Sequence, residues 1–147
     1  MKTSRVIHVA LLLGLLGTVT ASAQYTGSYQ TNSLNNSTNN WAGDYVIGTG
    51  PWAHDVLIIQ NAGVLSNASG YAGYTGSSNN TALITGAGSV WANSADLTVG
   101  YLSAGNLLTI ANSGSVSSAS GWIGTMAPAA TPSSSPVLAP SGATATT

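Results

Sequence analysis

A chain of 147 residues that is 44% hydrophobic and 3% charged lies far below the roughly 25% charged content of an ordinary globular domain. Its charged residues are Lys2, Arg5, Asp44, Asp55 and Asp96, so beyond the first five positions there is no cation to displace phosphate counterions, and nucleic-acid binding on that basis is excluded. Cysteine is absent, which removes disulfide scaffolds and thiolate metal sites.

Residues 1–23 read as a secretory signal peptide. Lys2 and Arg5 form a charged start, Leu11 to Leu16 lies at the centre of an apolar run, and Ala21-Ser22-Ala23 supplies a small-x-small cleavage pattern. The run is shorter than the ~20 residues of a membrane helix. The expectation is an exported chain that begins at Gln24, has no membrane span when mature, and ends up periplasmic, secreted or on the cell surface.

Residues 24–40 are polar, with Leu34 as their one aliphatic side chain, and read as a lead-in or N-terminal cap. Residues 41–126 carry an internal repeat. His54 to Gly73 aligns without gaps to Gly105 to Gly124 at an offset of 51, with nine of 20 positions identical, among them Leu57 with Leu108, Ile59 with Ile110, Asn61 with Asn112 and Gly63 with Gly114. A looser copy, Ala82 to Gly100, lies between them. Each unit closes on a glycine, at Gly48, Gly73, Gly100 and Gly124, with spacings of 25, 27 and 24 residues. Repeats of this length signal solenoids, propellers or arrays.

The runs Val56 to Ile59, Leu83 to Thr85, Leu97 to Val99 and Leu107 to Ile110 are short, β-prone and bounded by Gly, Asn and Ser, and a helical period is missing. The pattern predicts an all-β fold: a short right-handed parallel β-helix of about three coils of roughly 25 residues, with disordered termini. Leu57 and Ile59 should point to one side and recur as Leu108 and Ile110. Asn61 and Asn112 should stack at the corner after the strand, and Gly63 and Gly114 should supply a turn conformation that other residues resist. Residues 127–147, rich in Pro, Ser, Thr and Ala without charge, read as a disordered tail.

Within this pattern, Gly86-Ala87-Gly88-Ser89-Val90-Trp91, then Leu97-Thr98-Val99-Gly100, Asn106 to Ile110 and Ser113-Gly114-Ser115-Val116 resemble the repeat of autotransporter passengers and PEP-CTERM-associated exported proteins. The segment 84–124 covers about one full copy, and Trp41 to Gly73 a weaker one. The resemblance implies a bacterial exported parallel β-helix, usually part of a longer array, whose repeat positions are structural rather than catalytic. No alternating strand series of a barrel follows Gly124, and Pro136-Val137-Leu138-Ala139-Pro140 carries no Pro-Glu-Pro, apolar span or basic cluster. The expectation is therefore either a truncated passenger-like chain or a short secreted piece with another means of attachment.

Chemistry is sparse. His54 and Asp55 are adjacent, which in a strand sends their side chains to opposite faces, and both are expected at a solvated turn. Asp44 and Asp96 each precede a closing glycine by four positions and should fall two coils apart, about 9–10 Å at the usual strand spacing. That is wide enough for an inverting carboxylate pair, but nothing raises one pKa or positions a sugar. No catalytic residue, metal ligand or cofactor is expected. Trp52, Trp91, Trp122 and Tyr71 are the glycan-facing candidates, because a ring can stack on a sugar while neighbouring amides bond its hydroxyls. Tyr71 and Trp122 share a repeat position, so stacking in one column is the structural alternative. Open coil ends expose strand edges, so self-association is expected there, with a surface polysaccharide as the other candidate partner.

Overall fold

The computed structural model describes residues 24–124 and 144–146. The signal-peptide reading and most of the tail reading lie outside these described residues.

Every regular element among the described residues is a strand, and twelve of them wind into four coils. The first holds β1 (Thr31–Asn35), β2 (Thr38–Asn40) and β3 (Tyr45–Ile47); the second holds β4 (Val56–Gln60), β5 (Val64–Asn67) and β6 (Gly70–Ala72). The third holds β7 (Thr81–Thr85), β8 (Val90–Asn93) and β9 (Asp96–Val99), and the fourth β10 (Leu107–Ala111), β11 (Ser115–Ser117) and β12 (Ser120–Ile123). Equivalent strands stack in parallel into three sheets: β1-β4-β7-β10, β2-β5-β8-β11 and β3-β6-β9-β12. A last strand, β13 (Thr144–Thr146), adds antiparallel to β10. The chain is a parallel β-solenoid of four turns.

The gap-free offset has a direct cause. Leu57 and Leu108 both pair with Ala82, one from each side, so the two similar segments are the second and fourth coils with the third between them. The third coil carries extra corner residues: Gln60 pairs Thr85, Val64 pairs Val90 and Gly70 pairs Leu97. This is why its sequence aligned loosely.

Alternation along each strand fills the interior. Leu34, Ile59, Ile84 and Ile110 form one column of the first sheet, Leu57, Ala82 and Leu108 another, and all are buried. From the third sheet Tyr45, Ile47, Ala72, Leu97 and Val99 face them, and from the second Leu65 and Trp91. A fully buried aliphatic contributes about 1.5–3 kcal/mol, and the stacked columns repeat that contribution coil after coil.

Two expectations are corrected here. Residues 31–40 form β1 and β2, so there are four coils, not three. Their side chains are mostly exposed and hide any apolar period, while their backbone pairs with β4 and β5. The cap is residues 24–30. The Gln24 carboxamide donates to the Asp44 carbonyl at 2.9 Å and accepts from the Val46 N–H at 2.6 Å, satisfying the edge of β3 as a preceding strand would. Tyr25 turns inward, 3% exposed, and donates to the Val56 carbonyl at 2.9 Å. At the other end of the chain, the expected disorder of 127–147 gives way at Thr144–Thr146 to β13, which covers the free edge of β10.

The second correction concerns Gly63 and Gly114. The left-handed conformations after β4 and β10 belong to Asn61 and Ala62 (φ 51° and 60°) and to Asn112 and Ser113 (φ 49° and 65°). The glycines are needed for closeness: a Cβ on Gly63 would strike the Leu34 carbonyl, and one on Gly114 would lie 2.6 Å from the Ile84 carbonyl oxygen. Backbone cannot step aside as a side chain can. Gly63→Ala and Gly114→Ala are each expected to cost about 1–3 kcal/mol, read as a lowered urea midpoint with the β-type circular dichroism retained.

A polar ladder runs through the interior at the start of the first sheet. Asp55, Asn80 and Asn106, each 0% exposed, are equivalent in the second, third and fourth coils. The Gln30 N–H donates to Asp55 Oδ1 (2.9 Å), the Asp55 N–H to Asn80 Oδ1 (3.0 Å) and the Asn80 N–H to Asn106 Oδ1 (3.1 Å). Asn80 Nδ2 bonds Asn106 Oδ1 at 3.0 Å and Ser77 Oγ at 3.2 Å, and Asn106 Nδ2 bonds Ser103 Oγ at 2.8 Å. A second ladder joins Asn67 and Asn93, with Trp91 Nε1 donating to Asn67 Oδ1 at 2.7 Å. Buried amides are kept because their partners are complete.

Candidate functional site

The outer face of the third sheet carries the half-buried Tyr71 and Trp122 together with Asp44 and Asp96. Two columns run along it. In one, Asp44, Ser69, Asp96 and Ser120 follow from the pairing of Tyr45 with Gly70, Gly70 with Leu97, and Ser120 with Asp96. In the next outward column, Val46 pairs Tyr71, Tyr71 pairs Thr98 and Thr98 pairs Trp122. Tyr71 and Trp122 are half-buried, and the Thr98 between them is 2% exposed although it points outward. Two strand spacings, about 9–10 Å, separate their backbone positions.

The corner beside these columns adds two tyrosines. Tyr74 and Tyr101 stack with centroids 4.9 Å apart and planes at 11°, and Tyr71 meets both edge-on, at 5.0 Å and 6.0 Å. Each follows a closing glycine with positive φ, Gly73 (85°) and Gly100 (86°). At Gly73 a Cβ would also collide with the Asn106 carboxamide, so the glycine both makes the turn and admits the ladder. The Gly-Tyr step at 73–74 and 100–101 was visible in the sequence as a repeat-linked aromatic, and it identifies the pair that the tryptophan count passed over.

Acids and phenols are coupled on this face. Asp44 is exposed and its Oδ1 accepts the Ser69 N–H at 3.0 Å. Burial chiefly, with the Asp44 carboxylate next, pushes the Tyr71 phenol above its ordinary value, while a hydrogen bond with Ser69 opposes the shift. Tyr71 is a neutral hydroxyl at any physiological pH. Asp44 and Asp96 lie two coils apart, as their spacing implied, with the Ser69 position between them. The face thus offers rings, hydroxyls and two carboxylates, which are groups that hold a polyhydroxylated ligand.

The other candidates lie elsewhere. Trp91 is 0% exposed and cannot face a glycan. It falls on an inward position of β8, and Gly70 makes room for it, since a Cβ there would lie 2.8 Å from Trp91 Cζ2. Trp52 is half-buried in the corner before β4, on the row of Ser77 and Ser103, away from the third sheet. Tyr71 and Trp122 do not stack, because Thr98 occupies the strand between them; Tyr71 packs on Tyr74 and Tyr101 instead. Asn61 and Asn112 reach the neighbouring coil rather than each other, Asn61 Nδ2 to Asn35 Oδ1 at 2.9 Å and Asn112 Nδ2 to Thr85 Oγ1 at 3.0 Å.

The adjacent His54 and Asp55 separate as their alternation required, but not into a shared solvated turn. His54 is exposed with φ 60° and stacks on Tyr29, centroids 4.7 Å apart. Asp55 is buried in the ladder, and its Oδ2 is buried without a hydrogen-bond partner. Burial raises its pKa, the Gln30 N–H and His54 opposing. Sequence reasoning missed this because an aspartate was taken for a surface residue, when its repeat equivalents are asparagines.

Among the described residues no group of three or more His, Cys, Asp or Glu side chains could hold a metal ion. No family model, curated protein or solved structure matches the chain.

Proposed function

We propose that this chain is an exported, non-catalytic surface module that adheres to carbohydrate through the outer face of its third sheet. The observation that carries the reading is the pair Tyr71 and Trp122, half-exposed and held two strands apart beside the column Asp44, Ser69, Asp96 and Ser120. Rings so placed can stack on alternate sugar residues of an extended polysaccharide while the column bonds their hydroxyls. A flat solenoid face suits an extended chain better than a small molecule. The signal-peptide pattern of residues 1–23 and the passenger-like repeat support export. The two carboxylates on this face lack a cationic partner and a shared enclosed site, which supports adhesion over hydrolysis.

Affinity electrophoresis against neutral soluble polysaccharides tests it. Trp122→Ala is expected to weaken retardation about tenfold, equivalent to about 1.4 kcal/mol, with the fold unchanged because the side chain lies outside the core. Unretarded migration of the wild-type chain through every neutral polysaccharide would overturn the reading.

A further inference from the structure

The first coil ends in an open mouth that neither the ladder nor the third-sheet face uses. On that side no strand of the described residues pairs with β2, and all three residues of β2 are exposed. Trp41 follows β2 directly. Its N–H is fixed to the Ser66 carbonyl at 2.8 Å and its ring meets Tyr45 edge-to-face, centroids 5.7 Å apart and planes at 84°. Cavities flank it on two sides. One, of about 410 Å³, is lined by Gln24, Asn32, Leu34, Ser37, Asn39 and Tyr45 as well as Trp41. The other, of about 500 Å³, runs past Asn40, Ser66, Asn67 and Ser94. The first is a half-open hollow and the second a shallow depression of the surface.

We infer that Trp41 is the platform of a second saccharide site. The lining has what a sugar ring needs: an aromatic wall, an aliphatic floor at Leu34, and carboxamides and hydroxyls around them. Among the described residues no charged side chain lines either hollow. Its polar groups are already oriented. Gln24 is held at both ends of its carboxamide by the edge of β3, and Asn32 Nδ2 donates to the Gln24 carbonyl at 2.7 Å and to the Tyr45 hydroxyl at 3.2 Å. Asn39 stays exposed at the rim. Pre-set donors and acceptors cut the ordering cost of binding. The rival occupant is the end of a second copy, which would have to displace Gln24 from β3 before it could pair there.

The site does not depend on the third-sheet reading, and one experiment separates the two. The full mature chain is titrated by calorimetry with cellobiose, maltose and lactose. The expected result is binding of at least one disaccharide, weakened at least tenfold by Trp41→Ala and by Asn39→Asp and unchanged by Trp122→Ala. Asn39→Asp changes an exposed residue and keeps the test decisive should Trp41→Ala fail to fold. Disaccharide binding that survives both substitutions would overturn the inference. A chain that binds no disaccharide and instead dimerises with rising concentration, the dimer being lost in Asn39→Asp, would overturn it in favour of a stacking interface.

Discussion

Asn80→Ala is expected to lower the unfolding free energy by about 3–5 kcal/mol, far more than any exposed asparagine of the repeat. The substitution leaves the Asp55 N–H without its acceptor and takes one donor from Asn106 Oδ1. It also strips a donor from Ser77 Oγ and empties the space over Gly48, where the Asn80 carboxamide now sits. Each buried polar group left unpaired costs about 1–3 kcal/mol, and the emptied space adds to that. Asn61→Ala removes a hydrogen bond to Asn35 at the exposed corner and is expected to cost under about 1 kcal/mol. Urea denaturation compares the two by their midpoints at equal slope. Equal losses would mean that the interior ladder carries no more weight than the surface one.

Acidification should make the solenoid more stable, the reverse of the usual behaviour of carboxylate-rich proteins. Asp55 is held above its ordinary value of 3.8 by burial, so the folded chain binds its proton more tightly than the unfolded chain. Unfolding then releases a proton, and stability falls with rising pH. The loss begins near the unfolded value, continues through the raised folded value, and is complete above it. Geometry gives the same sign. Oδ2 of Asp55 is buried without a hydrogen-bond partner, whereas the equivalent Nδ2 of Asn80 donates to the carboxamide oxygen of Asn106, so the charged carboxylate has nothing to replace its lost water. The Ser77 position, which serves Asn80, is filled by Trp52 in this coil, so no hydroxyl relieves Oδ2. Asp55→Asn is expected to raise stability at neutral pH by about 1–3 kcal/mol, the cost of one orphaned buried group, and to flatten the pH dependence. Denaturation of both chains across the acid range is the measurement, and parallel curves would rule the account out.

The solenoid was legible because its hydrophobic residues alternate and recur at fixed spacing. Leu57, Ile59, Leu108 and Ile110 alone place two coils in register. The close of the first coil was legible at Gly48, but β1 and β2 were not, since they need few inward aliphatics: Leu34 joins a column that coils two to four have already defined, and the backbone edges of β4 and β5 recruit the rest. The roles of the glycines were half legible. Gly73 and Gly100 were legible as closing positions, where they take positive φ, whereas Gly63 and Gly114 answer to a carbonyl on the neighbouring coil that no local pattern records. Aromatic residues divided by strand parity, which counting cannot supply: Trp91 falls on an inward position of β8 and Trp122 on an outward position of β12. Trp41 was legible as a ring at the start of the repeats, but its place beside the edge strand β2 was not.

The stacking of like strands also fixes how the chain yields to force. Hydrogen bonds between coils run along the solenoid axis, so a pull separating Gln24 from Gly124 loads them in line and breaks one strand's worth at a time rather than all at once. Each detached coil of roughly 25 residues would pay out up to about 80–90 Å of extended chain. Extension under load would therefore be graded, in steps set by the repeat, and a surface attachment built this way would lengthen before it let go.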